Sequence, residues 1–161
     1  MITDVDNRLI RPMRSDDIEQ VAAIEVEVTP SPWSNRQFQQ SLEQHQCVVI
    51  CQRNADDNVV LGYMILASVF DQTELLNIAI DPQHQGHGLG SQMLNSGLQS
   101  LSDSIESVLL EVRVSNFPAI RLYLNYGFIE VGRRRDYYKT EFGREDAILM
   151  TLQRTVVSAG D

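Results

Sequence analysis

The residues with the types and spacing for chemistry fall into a few short stretches. Glu111 is the one acid in the apolar run Ser107-Val-Leu-Leu-Glu-Val-Arg-Val114. A carboxylate placed there is poorly hydrated, and desolvation favours its protonated form, which suits a group that must accept a proton. Its plainer reading is an ion pair with Arg113 on the same face, or an exposed place on an edge. Tyr123 lies on a helical run with Ile120 and Tyr126; it is either core packing or an acid with its hydroxyl at the mouth of a site. Asn116 has the position of a helix N-cap and could meet a ligand as well. Gln85-Gly-His-Gly-Leu-Gly90 follows an apolar strand that Asp81-Pro82 stops. Gly86, Gly88 and Gly90 let backbone N–H groups point into one concavity at a helix N-terminus, a site suited to phosphate. The pattern is not Gly-x-Gly-x-x-Gly and no Lys-Ser/Thr follows it, so neither a dinucleotide nor a nucleoside triphosphate is indicated.

Other candidates carry less. His84 and His87 sit in the glycine loop with no third ligand near them in sequence, and His45 stands apart, so no metal site is expected. Cys47 and Cys51 flank Val48-Val-Ile50 on a strand-like run, where four residues span ~13 Å. They cannot bond to each other and read as buried thiols. Arg133-Arg-Arg135 would ordinarily be a solvated strand end, yet it is the densest positive patch on an acidic chain. Thirteen basic against twenty-two acidic residues give a net charge of −9. That sign disfavours nucleic acid as a direct partner and favours amines, polyamines or basic protein tails.

These residues need elements to position them. With 161 residues, one domain is expected over 1–154, with a flexible tail at 155–161. Leu9-Ile-Arg-Pro-Met13 reads as the first strand. Ser15 caps a helix opened by Asp16, Asp17 and Glu19, with Ile18, Val21, Ala22, Ile24 or Glu25, and Val28 on its buried face. Thr29-Pro-Ser-Pro-Trp33 breaks it, and Ser34 with Gln37 makes a capping box for a second helix. Cys47–Arg53 and Val59–Phe70 form an antiparallel hairpin turned by Asn54–Asn58. Glu74–Ile80 is a strand followed by a helix from Leu89 to Ser102. Ser107–Val114 is a strand buried on both faces. Pro118–Tyr126 is a helix between Asn116 and Gly127, and Phe128–Arg133 and Ala147–Leu152 close the chain as strands. The class is α/β with a mixed central sheet flanked by helices. No run reaches the ~18 apolar residues of a membrane span. The first residues lack the basic and apolar regions of a secretory signal, so a cytoplasmic protein is expected.

Asn77-Ile-Ala-Ile80, Gln85–Gly90, Leu110-Glu-Val-Arg-Val-Ser-Asn116, Ala119–Phe128, Arg134-Arg-Asp-Tyr-Tyr138 and Gly143–Met150 together resemble the GNAT superfamily of N-acetyltransferases. Within it the chain is similar to the RimI subgroup, bacterial enzymes that acetylate the N-terminal alanine of the eighteenth small-subunit ribosomal protein. The resemblance runs from about Leu9 to Leu152. It implies the GNAT (acyl-CoA N-acyltransferase) fold and acetyl-CoA as co-substrate, transferred directly in a ternary complex. The backbone of Ile78, Ala79 and Ile80 would hold pantetheine and the acetyl group. Gln85, Gly86, His87, Gly88, Leu89, Gly90 and Ser91 would wrap the pyrophosphate, and Asn116 would contact the cofactor. Glu111 would be the general base and Tyr123 the acid toward the departing thiolate. Trp33, Tyr137 and Tyr138, in or beside loops, would frame the acceptor's first residues. The partner implied is the basic N-terminal tail of a small-subunit ribosomal protein, and a monomer is expected. One departure is Gly86, where relatives often carry a basic residue.

The physics leans the same way. An α-amine with pKa ~7.7–8.0 is about a tenth neutral at pH 7, whereas lysine at ~10.4 is almost wholly charged. A tyrosine at pKa ~10 is a weaker acid than a thiol at ~8.5, so full transfer is uphill by ~2 kcal/mol. Tyr123 is therefore expected to hydrogen-bond the thiolate, with its pKa lowered in the site. Two other functions fit the same residues less fully: acetylation of polyamines or aminoglycosides, and a non-catalytic acyl-CoA-binding module.

Overall fold

The computed structural model describes residues 3–5, 7–53 and 59–155. They pack as two compact units. One joins the chain up to Ala67 with Asn77–Ser100; the other joins Ser68–Leu76 with the chain from Leu101 onward.

In the first unit, β1 (Thr3–Val5), β2 (Arg8–Pro12), β3 (Gln46–Gln52) and β4 (Val59–Val69) pair as successive neighbours. The β3–β4 hairpin is antiparallel as expected; its turn at 54–58 lies outside the described residues. β1 was not anticipated, because three residues are too few to show alternation. The last residues of β5 (Gln72–Ile80) also belong here. So do the helices α1 (Ile18–Val28), α2 (Asn35–Gln44) and α3 (Leu89–Gln99).

Ser15 does not cap α1. Ser15–Asp17 form a 3-10 turn instead, and the Asp17 carboxylate accepts from the Arg14 N–H at 2.8 Å and from two Arg11 nitrogens at 2.7 and 2.8 Å. α1 buries Ile18, Val21, Ile24 and Glu25. Val28, expected on that face, closes the helix and is exposed. The capping box of α2 is present: the Ser34 N–H donates to Gln37 Oε1 at 2.8 Å and the Gln37 N–H to Ser34 Oγ at 3.2 Å. Phe38, Val49, Ile50, Tyr63, Met64, Met93 and Leu94 form the core. Cys47 and Cys51 are buried and unbonded to each other, and burial pushes the Cys47 thiol up to about 11.

In the second unit, the first part of β5 pairs parallel with β6 (Ser107–Arg113). β8 (Gly143–Gln153) runs antiparallel to both β6 and β7 (Ile129–Thr140), which flank it. α4 (Phe117–Tyr126) is capped by Asn116, whose Oδ1 accepts from the Ala119 N–H at 3.3 Å. Two expectations change. β6 is not buried on both faces: Val108, Leu110 and Val112 are buried, while Leu109, Glu111 and Arg113 are half-buried. β7 continues past Arg133 to Thr140, because a bulge between Arg134 and Tyr138 hides the strand from any period-two pattern. Residues 156–161, expected as a tail, lie outside the described residues.

Register then decides which side chains meet. Across β6–β8, Glu111 faces Leu149 and Arg113 faces Ala147. Across β7–β8, Gly132 faces Leu149, Arg134 faces Ala147 and Tyr138 faces Glu145. Directly opposed residues share a face, so Glu111, Arg113, Arg134, Tyr138 and Glu145 stand together.

Candidate active site

In the first unit, the glycine loop is a strand-to-helix connection. Asp81 ends β5, its N–H donating to the Leu61 carbonyl at 2.7 Å. A 3-10 turn at Pro82–His84 follows, with Asp81 Oδ1 accepting from the Gln83 N–H at 3.0 Å. The Gln85 side chain folds back to donate to the Ile80 carbonyl at 3.0 Å. Gly86 and Gly88 adopt φ of +82° and +79°, and a Cβ on either would meet nothing within 4 Å. The glycines therefore serve the left-handed backbone, with open space in front of them.

The chemistry of this loop suits an anion. Gly88 is the N-cap of α3 and, lacking a side chain, gives the N–H groups of the first turn no cap hydrogen bond. Gln92 Oε1, in the helix beyond the loop, is buried with no hydrogen-bond partner, which by itself favours a donor and not an anion, and His84 Nδ1 lies 3.6 Å from Asp81 Oδ2. Leu89 is buried and anchors the start of the helix; Gly90 and Ser91 lie in its first turn. Gln85 and His87 are exposed. Ile78, Ala79 and Ile80 are held against β4 at Gly62, where a Cβ would stand 2.7 Å from the Ala79 carbonyl oxygen and 2.6 Å from Ile80 Cδ1. Gly62 is thus part of the loop's support, though nothing in its sequence context singles it out.

The first unit also holds a polar cluster that the sequence hid. Glu25 is 3% exposed. Its Oε1 accepts from the Tyr63 hydroxyl at 2.8 Å; its Oε2 accepts from Asn77 Nδ2 at 2.8 Å and from the Trp33 N–H at 3.2 Å. Burial, and then the charge and hydrogen bonding of Glu25, push the Tyr63 hydroxyl well up. The indole of Trp33 is 5.3 Å from Phe38, whose ring is 5.5 Å from Tyr63.

In the second unit, Glu111 is half-buried on the polar face of β6. Its partner is not Arg113: Glu111 Oε1 lies 3.2 Å from Arg134 Nε, while Arg113 pairs with Glu145 at 3.0 Å. The small Ala147 between Arg113 and Arg134 leaves room for these diagonal contacts. The Arg113 guanidinium lies 4.2 Å from the Tyr138 ring centroid and that of Arg134 5.3 Å from the Tyr137 ring; the two tyrosine rings meet edge-on at 5.0 Å. The arginine run is therefore not merely a solvated strand end, and Arg134 is the residue of it that bears on the site.

Tyr123 is buried at 5% exposure, its ring packed 5.7 Å from that of Phe128. Burial, with a smaller contribution from Tyr138, pushes its hydroxyl up, the reverse of the lowering expected from sequence. The Tyr138 hydroxyl is raised by burial and then by the Glu111 charge, with the Arg113 charge acting against them. Asn116 is exposed at the head of α4. Among the described residues no group of three His, Cys, Asp or Glu could hold a metal ion.

A mixed α/β sheet with a glycine loop between β5 and α3 and a single carboxylate on β6 is the arrangement of the N-acyltransferase fold. The sequence matches the acetyltransferase (GNAT) family over residues 16–128, and the chain belongs to that family. It is 35% identical over 144 residues to the ribosomal protein bS18-alanine N-acetyltransferase of Escherichia coli K12, covering 89% of this chain and 95% of that one. The enzyme of the same name from Salmonella typhimurium is 36% identical over 141 residues, covering 87% and 93%. The crystal structure of the E. coli ribosomal-protein-S18-alanine N-acetyltransferase superposes with a TM-score of 0.84 at 34% identity, covering 96% of this chain and 97% of that one.

Proposed function

We propose that this chain transfers the acetyl group of acetyl-CoA to the α-amine of the N-terminal alanine of ribosomal protein bS18, directly and in a ternary complex. Similarity along nearly the whole length of the E. coli enzyme supports the acceptor. The observation that carries the reaction is Glu111: the one carboxylate of β6, half-buried on the strand's polar face and fixed by Arg134 at 3.2 Å. Residues 1–154 form the catalytic domain in this reading, working as a monomer in the cytoplasm. Among the described residues, no helix is long and apolar enough to cross a membrane.

Acetyl-CoA, when bound, supplies an activated thioester. The loop Gln85–Ser91 receives its pyrophosphate on backbone N–H groups, a role that the unfilled first turn of α3 fits. Ile78, Ala79 and Ile80 hold pantetheine and the acetyl group through backbone, and Asn116 offers a further polar contact. Glu111, directly or through one water, takes a proton from the α-ammonium. The neutral amine then forms the C–N bond as the C–S bond breaks, and the nitrogen gives up its second proton to solvent. Tyr123 donates a hydrogen bond to the sulfur. Its raised hydroxyl pKa makes full proton transfer less favourable still, so the neutral phenol acts as a donor dipole and solvent delivers the final proton. Trp33, Tyr137 and Tyr138 contact the acceptor's first residues.

The test is mass-spectrometric turnover with acetyl-CoA and a peptide copying the bS18 N-terminus, beside the same peptide with its α-amine blocked and its lysines free. Acetylation of only the free N-terminus is expected. Product on the blocked peptide would make this a lysine enzyme, and no product on either would overturn the reading.

A further inference from the structure

The buried cluster around Glu25 is a carboxylate removed from water among uncharged groups. Its three hydrogen-bond donors are Tyr63, Asn77 and the Trp33 N–H; no cation is recorded against it among the described residues. Burying a carboxylate in this way is costly unless its oxygens are well satisfied, and replacing Glu25, Tyr63 and Asn77 by apolar groups would avoid that cost. An arrangement of this kind needs a purpose beyond stability.

The three donors differ in what else holds them. Tyr63 and Asn77 sit within β4 and β5, whose ladders fix their backbones. Trp33 lies between α1 and α2, outside any helix or strand. Its N–H is tied to Glu25 Oε2 and its indole packs on Phe38; among the described residues the other hydrogen bonds of the segment are local, among them Thr29 N–H to the Glu25 carbonyl, Ser31 N–H to Thr29 Oγ1 and the Ser34–Gln37 cap. The carboxylate therefore joins a segment with no ladder of its own to two strands that have one.

We propose that Glu25 is a positioning residue for acceptor recognition, tethering the Trp33 segment through the Trp33 N–H so that it is set for the acceptor before the acceptor arrives. This rests on the reading of Trp33 as an acceptor contact. Without the tether, the ordering of that segment falls on acceptor binding. Glu25→Gln keeps shape and volume but leaves a single uncharged oxygen where three donors met a carboxylate, so the bond from the Trp33 N–H loses its charge assistance.

Steady-state kinetics with the full chain, acetyl-CoA and an alanine-initiated peptide test this. For Glu25→Gln the peptide KM rises by about tenfold or more, the worth of a charge-assisted hydrogen bond. The kcat and the KM for acetyl-CoA stay within about twofold, a split that a merely structural role would not give. Tyr63→Phe, which leaves the tether in place, keeps the wild-type peptide KM. Trp33 is the one tryptophan of the chain, so its fluorescence quenching by acrylamide reports the tether without turnover and rises in Glu25→Gln. Unchanged quenching, or a loss of active enzyme at an unchanged peptide KM, overturns the proposal. Should Glu25→Gln not fold, hydrogen exchange in the wild-type protein decides: the Trp33 amide is expected to exchange about a hundredfold more slowly than in an unfolded chain, and exchange at the unfolded rate overturns the tether. Wild-type protein inactive on the peptide but with a protected Trp33 amide would overturn the acceptor reading and not the tether.

Discussion

Glu111 was legible as the one acid in an apolar strand, but its partner was not. Arg113, two positions along the same strand and on the same face, was the natural candidate; β8 brings Glu145 within 3.0 Å of it and leaves Glu111 to Arg134 at 3.2 Å. Such pairings follow from register, which no single segment carries. Tyr123 was found by its resemblance to a motif, while its burial depended on Phe128 and the rest of the second unit. Two outcomes follow at this scale. Glu111→Gln lowers kcat by about a hundredfold or more in stopped assays at neutral pH, as loss of a general base does, and leaves acetyl-CoA affinity by calorimetry unchanged. Tyr123→Phe, which removes only a donor dipole, lowers kcat by about tenfold; full turnover in that variant would remove the tyrosine from the mechanism. Glu25 shows the opposite limit. It stood in the sequence as one of two possible helix-face residues, and only the tertiary meeting of Tyr63, Asn77 and Trp33 marks it out.

Helices and strands with clear punctuation were readable: the Ser34–Gln37 box, the Asn116 cap and the β3–β4 hairpin all stand where the residues put them. β1 and the second half of β7 did not announce themselves, the former for brevity and the latter because Asp136, at φ 52°, sits in a bulge. The Ser15 cap failed because Asp17 is drawn inward by Arg11. At this scale the glycine loop makes the clearest prediction. In Gly88→Ala the new Cβ meets no neighbour, yet a φ of +79° costs an alanine about 1–2 kcal/mol. Acetyl-CoA affinity by calorimetry is expected to fall by about tenfold, with peptide KM unaltered. An unchanged affinity would mean that the left-handed turn is not what shapes the loop for phosphate.

The molecule as a whole carries a charge of −9 and, inside the first unit, the Arg11–Asp17 pair with both side chains 4% exposed. Burial works against the Asp17 carboxylate. Hydrogen bonds from Arg11 and from the Arg14 N–H, with the Arg11 charge, outweigh it and hold the carboxyl below its usual 3.8. A lowered folded-state pKa contributes stability that is complete above about pH 4 and is lost as pH falls through the folded value. Asp17→Ala, which strands a buried guanidinium, is expected to destabilise by about 3 kcal/mol in urea at pH 7. Relative to wild type, the variant loses less stability on going below pH 4. The net charge predicts that kcat/KM for a basic peptide falls as salt is raised from about 50 to 500 mM, by about threefold or more. A flat salt profile would show that the acidic surface does not attract the acceptor. Composition gave the sign of that field, and only the fold shows that its basic exceptions, Arg113 and Arg134, stand with Glu111.

The β7 bulge sets three residues, Arg135, Asp136 and Tyr137, against Asp146 alone, between the pairs Arg134–Ala147 and Tyr138–Glu145. The surplus over a regular ladder is two, an even number, so Tyr138 still comes out on the side of Glu111. Delete Arg135 or Asp136 and the parity reverses: in a regular ladder Tyr137 would stand opposite Glu145 and Tyr138 would turn away. Which tyrosine is registered with Glu145, on the face of Glu111, is thus a matter of arithmetic as much as of composition. Two chains could share both tyrosines and still set different rings beside the same carboxylate.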